Sequence, residues 1–295
     1  MVWVTSLLCT MPTGAWEFVE TVYGYTTDSL ALMADAGHNL SDVLGLLLAW
    51  GGAYPAQIQG TSQRTYGFRR STIYATLLNG IIMYLAVGGI GLEAVRRLIS
   101  TLPTVPPATT LMIVAGIGIA VNAVTAILFM AGRQRDLNIR GAFLHMAADA
   151  AVSAGVVVAG AGIFFTGWWW LDPVVSLAIA VVILIGSWGL MRDSVNLAMD
   201  AVPRGLDVDE ICAFLEGIRG VVRVHDLHVW AMSTTETALT AHLVHDGSED
   251  TNDLTRQAGT ALNTKFGIGH TTLQWERPAA QGRCLADATC GSDSD

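Results

Sequence analysis

Stretches of about 20 apolar residues recur through the first two thirds of the chain, separated by short polar connectors, and they stop near Leu206. Each is long enough to cross the roughly 30 Å hydrocarbon layer of a bilayer as a helix. The pattern predicts six spans, over about 2–25, 29–54, 73–95, 108–131, 141–165 and 171–191. The first is interrupted by Pro12 and carries Glu17 and Glu20; these two, with Glu93 in the third span, are expected at the membrane interface. The sixth opens on Asp172-Pro173, where proline suits a first helical turn.

Past Leu206 the periodicity changes. Ile211, Phe214, Leu215 and Ile218 mark one face of a helix over 207–218. Strands are expected at 221–232 and 237–245, a helix at 250–266 and a closing strand at 270–276. The order α-β-β-α-β suggests a small ferredoxin-like α+β sandwich. The expected fold is a six-helix α-helical polytopic membrane domain over 1–199, a cytoplasmic α+β domain over 200–278, and a polar tail over 279–295 that reads as disordered.

Composition supports the division. The chain is 52% hydrophobic and only 14% charged, with mean hydropathy +0.47, where a soluble domain carries about 25% charged residues. The net charge of −9 falls largely on the part after Asp200. It leaves no basic stripe of the kind nucleic acid demands, so no nucleic-acid partner is expected. Four scattered cysteines (Cys9, Cys212, Cys284, Cys290) make no disulfide framework. The first residues lack a signal-peptide pattern.

Connector charge sets the orientation. Arg64, Arg69 and Arg70 follow the second span, Arg133, Arg135 and Arg140 the fourth, and Arg192 and Arg204 the sixth; only Arg96 and Arg97 lie on the other side. The positive-inside bias places both termini in the cytoplasm, in the cell (inner) membrane. Trp168, Trp169 and Trp170 then fall at the outer interface, where indoles are favoured.

The chemistry lies in two repeated pairs. His38 and Asp42 are four residues apart, and so are His145 and Asp149. On a helix such residues share one face, about 5–6 Å apart at Cβ. Two such helices facing each other offer two nitrogens and two oxygens, enough for a tetrahedral cation site. A lone carboxylate at mid-membrane costs at least about 2.5–3.5 kcal/mol, and a bound cation or a proton removes most of that. Imidazole with carboxylate suits zinc, with cadmium and cobalt possible, rather than magnesium or calcium. Histidine binds metal only when neutral, so metal and protons compete, and a metal/proton antiport by alternating access is the expected function. Asp35 and Asn39 either orient these ligands from behind or, for Asp35, pair with a polar group on a neighbouring helix.

The stretch Asp28-Ser29-Leu30-Ala31-Leu32-Met33-Ala34-Asp35-Ala36-Gly37-His38-Asn39-Leu40-Ser41-Asp42 resembles the second span of the cation diffusion facilitator family. The run from Gly141 to Ala150 is similar to its fifth, and Trp170-Leu171-Asp172-Pro173 and His225-Asp226-Leu227-His228-Val229-Trp230 to two further signatures. The His/Asp pairs resemble the zinc branch, including cobalt–zinc–cadmium resistance proteins. The resemblance implies a homodimer in the lipid bilayer with one transport site per protomer, and a charge interlock between Arg70 and Asp200. It favours His242 and His270 as cytoplasmic metal ligands, with His225 or His228 and Glu276 joining at a dimer interface. The chain departs from the family in its short lead before the first span, in Arg69-Arg70 after Tyr66-Gly67-Phe68, and in lacking a histidine-rich loop between spans four and five.

Strict alternation along the strands would put His225 and His228 on opposite faces, and likewise His242 and His245. Two other classes remain beside the exporter. A membrane metalloprotease needs a general base beside an open metal position, and no H-E-x-x-H or neighbouring glutamate accompanies either pair; the chain does not read as an enzyme. A non-transporting metal sensor would move its cytoplasmic domain without flux.

Overall fold

The structure, a computed structural model, describes residues 16–101, 105–130, 137–248 and 250–277, without the side chains of Asp42, Leu46, Ala49 and 137–142. The start of the first expected span, Asp42's ligand atoms, the 279–295 tail and its two cysteines therefore lie outside the described residues. Helix α1 covers 16–26. It is followed by α2 (Leu30–Ala56), α3 (Ser71–Ile99), α4 (Ala108–Met130), α5 (Leu137–Thr166) and α6 (Leu171–Ala198). Among the described residues, four helical segments are long and apolar enough to cross a membrane: Ser71–Ile99, Ala108–Met130, Phe143–Thr166 and Leu171–Ala198. Helices suit that setting because every backbone amide is bonded within its own segment.

The chain divides into two compact units, 1–48 with 78–189, and 49–77 with 190–295. The first is a helical bundle turned inside out relative to a soluble one. Its core is built from Ala31, Leu32, Ala34, Met83, Leu111, Val156 and Ile183. Large apolar side chains such as Leu85, Val158, Phe165 and Ile185 are more than two-thirds exposed on its outside. An apolar surface of that extent calls for hydrocarbon rather than water. Helix α2 is the exception in composition: its alanines 31, 34 and 36 are fully buried, so small side chains bring its polar residues inside the bundle.

The start of α2 is fixed by Asp172. This buried carboxylate, in the first turn of α6, accepts from Ser29 Oγ (2.6 Å), Leu30 N (2.8 Å) and Ala31 N (3.2 Å). It satisfies amides that a helix N-terminus leaves unpaired and complements the helix dipole. The Asp172-Pro173 motif thus caps a helix far away in sequence.

In the second unit, α7 (Val208–Glu216), β1 (Val221–Ala231), β2 (Thr237–His245), α8 (Thr251–Phe266) and β3 (Ile268–Glu276) follow in the expected order. Asp207 caps α7 by accepting from the amides of Asp209 and Glu210. Gly267, at φ 70°, ends α8 in the left-handed conformation that glycine adopts cheaply. The sheet order is β1-β2-β3, with β1 and β2 antiparallel and β2 and β3 parallel across α8. Ile211, Leu215, Leu239, Leu243, Leu262 and Ile268 fill the core between sheet and helices.

The register breaks once where it matters. His225 pairs with His242 and His228 with Thr240, so three steps on β1 match two on β2. The extra residue is a β-bulge, and Asp226 within it has φ 51°. A bulge resets the alternation of side chains. His225 and His228 therefore share a face, and the expectation of opposite faces is corrected.

Candidate metal centre

The inward stripe of α5 runs through Asp149, Ser153, Val156 and Ile163, all buried and spaced three, four or seven apart as a helix face requires. On α2 the corresponding stripe is Leu32, Asp35 and Asn39, with His38 beside it. Where these stripes meet, His38 Nε2 lies 3.8 Å from Asp149 Oδ1, and His145 Nε2 lies 3.7 Å from Asp149 Oδ2. The two imidazoles meet edge to face, with ring centroids 6.0 Å apart. One ligand atom from each of His38, His145 and Asp149 falls within 4.8 Å of the others. Ligand atoms on a tetrahedral zinc stand about 3.3 Å apart, so the three side chains must draw closer together to share one ion. The expected i,i+4 pair on α5 is present, and the imidazole of α2 joins it. Asp42, one turn beyond His38, is in helix α2, and its side chain lies outside the described residues.

Asp35 has no ligand role in this geometry. It is fully buried, and its Oδ2 accepts from Ser153 Oγ at 2.6 Å, which is the pairing with a neighbouring helix. Asn39 is buried nearby on α2. Glu17 and Glu20, expected at the membrane interface, are buried against neighbouring helices at 9% and 1% exposure. Glu93 behaves as a surface residue, paired with Arg96 and Arg97 at 3.8 and 3.5 Å.

A second cluster lies on the sheet of the other unit. Glu276 Oε2 is 3.2 Å from His225 Nε2, and its Oε1 is 3.0 Å from His242 Nδ1. The two rings are 5.2 Å apart, and one ligand atom from each of the three residues falls within 4.8 Å of the others. Asp226, on the bulge, bridges outward to His228 (2.9 Å) and to His242 (3.6 Å). His270 does not join: it pairs with Ala238 across β3 and packs its ring against Tyr66. His245 lies against Trp275. Glu276 thus meets His225 and His242 within one chain, without a second copy. Sequence reading missed Asp226, whose only signal was its place between two histidines.

Partial burial pushes the Glu276 carboxyl up, but hydrogen bonds from His225 and Gln274 and the charges of His225 and His242 outweigh it and hold the group below its ordinary value. A carboxylate so depressed stabilises the fold above its unfolded value of about 4.3 and loses that contribution as pH falls through the folded value. Glu276→Gln is therefore expected to melt below wild type in chelator at neutral pH. The gap should close as pH drops below about 4, read by thermal unfolding of the full chain.

Arg70 forms a salt bridge with Asp200. Arg69 pairs with Glu236 at 3.1 Å. One helical turn's distance from them, Thr72 Oγ1 accepts from the amide of Thr234 at 3.1 Å.

Residues 14–197 match the model of the cation efflux transmembrane domain, and residues 203–278 that of the cation efflux protein cytoplasmic domain. The chain belongs to the cation diffusion facilitator family. Among cation diffusion facilitators it is similar to a cadmium, cobalt and zinc/H(+)-K(+) antiporter of Bacillus subtilis, with 34% identity over 88% of this chain and 85% of the relative. It is 32% identical to the metal cation efflux system protein CzcD of Cupriavidus metallidurans, over 96% of this chain and 91% of that one. It is 31% identical to the zinc transporter ZitB of Escherichia coli, over 92% and 86%. These relatives fall in the zinc and cobalt–zinc–cadmium branch of the family.

Proposed function

We propose that the protein exports zinc, with cadmium and cobalt as further substrates, from the cytoplasm in exchange for protons. The observation that carries this is the convergence of His38, His145 and Asp149, from two helices distant in sequence, within the bundle that carries the apolar spans. Asp42 completes the transport site as a fourth ligand, and Asn39 supports it from the same helix. Nitrogen and carboxylate donors favour zinc over the hard cations. Because an imidazole holds either a proton or the metal, protons entering from outside release the cation, and the cation entering from the cytoplasm releases protons.

In this reading α1 to α6 are six spans in the cell (inner) membrane with both termini cytoplasmic, as the arginine distribution favours. Residues 1–199 form the transport domain, 200–278 the ferredoxin-like cytoplasmic domain and 279–295 a tail. Two copies pair through the cytoplasmic domain, whose family model is named for dimerisation. His225, His242 and Glu276 hold a regulatory zinc; His228 is tied to them through Asp226. Arg70 and Asp200 act as the charge interlock.

Proteoliposomes carrying the protein test the function. Zinc movement is expected to follow an imposed pH gradient, to reverse with it, and to be competed by cadmium and cobalt more than by manganese. Zinc that stays put under every gradient, with a metal-dependent change in the cytoplasmic domain, would make the protein a sensor instead.

A further inference from the structure

Glu20 is placed where a carboxylate is costly. It lies on α1 at 1% exposure, and its Oε1 has no hydrogen-bond partner. Asp35, on α2 at 0% exposure, has an equally unpartnered Oδ1. The two are close enough for their charges to interact, as are Glu20 with Glu17 and Asp35 with Asp149. Their meeting place is built over Gly118 of α4. A side-chain Cβ there would come within 3.5 Å of Ser153 Oγ, 3.5 Å of Trp16 Nε1 and 3.6 Å of Glu20 Oε1. These are ordinary contact distances, and they show polar atoms from α1 and α5 converging beside α4 inside the bundle. The groups facing Glu20 are Glu17 and Trp16 from its own helix, Asp35 from α2, and Ser153, with Asp149 beyond it, from α5; α4 bears no titratable side chain. Lysine and arginine are absent from α1, α2, α4 and the described side chains of α5. Carboxylates gathered in so apolar a place cannot all stay ionised, and the set must hold protons or a cation.

We propose that Glu20 is a second proton-carrying site of the exchange, apart from the metal ligands. Its link to the metal runs through the two helices that form the transport site. Ser153 is one turn beyond Asp149 on α5, Asp35 is three residues before His38 on α2, and the two are hydrogen-bonded. A divalent cation at Asp149 offsets the negative charge that Asp35 and Glu20 feel, and Glu20 gives its proton to water. When the cation leaves, the charge returns and Glu20 takes a proton back. Each cycle moves a proton on a group that never touches the metal.

This rests on the metal/proton exchange proposed above and is tested separately from it. Purified full-length protein in nanodiscs is titrated with zinc in buffers of different ionisation enthalpy, which counts protons released per zinc bound. Glu20→Gln is expected to bind zinc within about threefold of wild type while releasing one proton fewer, and its zinc flux should lose part of its pH dependence. Glu20→Asp should restore both. An unchanged proton count in Glu20→Gln overturns the second site and leaves exchange standing. Wild type releasing no protons at all overturns both proposals. Should the variants fail to fold, infrared difference spectra of wild type decide. Zinc must remove a protonated-carboxyl band, and its absence rejects the proposal.

Discussion

Replacing Asp149 by alanine is expected to abolish zinc efflux, lowering flux by at least about 100-fold, while the protein remains folded. The carboxylate sits between two imidazoles at 3.7 and 3.8 Å, so both halves of the site lose their shared anionic partner at once. Disturbing groups that merely orient a metal's ligands costs about 10–100-fold in affinity or activity, and removing a ligand outright costs more. Stability should move the other way or not at all. A buried carboxylate in a membrane is a burden of at least about 2.5–3.5 kcal/mol that its ligand relieves, and alanine does not carry it. Zinc uptake into inverted vesicles, normalised to folded protein by size-exclusion chromatography, separates the two effects. A variant that is folded and still transports at a rate near wild type would remove Asp149 from the transport site.

The second large effect is structural. Asp172→Ala is expected to destabilise the membrane unit by about 3–9 kcal/mol, because it strands three buried donors, each costing about 1–3 kcal/mol when unpaired. Ser29 Oγ and the amides of Leu30 and Ala31 have no water to turn to, since all three residues are at most 2% exposed. Asp172→Asn keeps the shape and one acceptor oxygen and should recover about half of the loss. Denaturant unfolding in detergent gives the comparison. A change below about 1 kcal/mol in the alanine variant would mean that α2 is held elsewhere.

Much of the fold was legible because its signals are local. The apolar runs at 73–95 and 108–131 became Ser71–Ile99 and Ala108–Met130, bounded by the charges and prolines that mark them in the sequence. The i,i+4 pair His145–Asp149 was equally readable, since helix geometry alone brings those side chains to one face. What the sequence hid was set by contacts over long separations. Nothing near Glu20 says that three other helices close over it, and a carboxylate close to the end of an apolar run reads as interfacial. Nothing near Asp35 points to Ser153, 118 residues away. On the sheet, strict alternation failed at Asp226 because one residue in a left-handed conformation shifted the phase of the strand. That shift decided which histidines meet Glu276.

The Asp172 cap also limits how the molecule can move. Three hydrogen bonds tie the first residues of α2 to the first turn of α6. Sliding one helix along the other would break them together, at about 3–9 kcal/mol, whereas a swing about that end breaks none. The Ser29 end then serves as a fulcrum and α2 as a lever, with His38 about two turns along its arm. A rotation about the cap displaces that imidazole while the three hydrogen bonds persist.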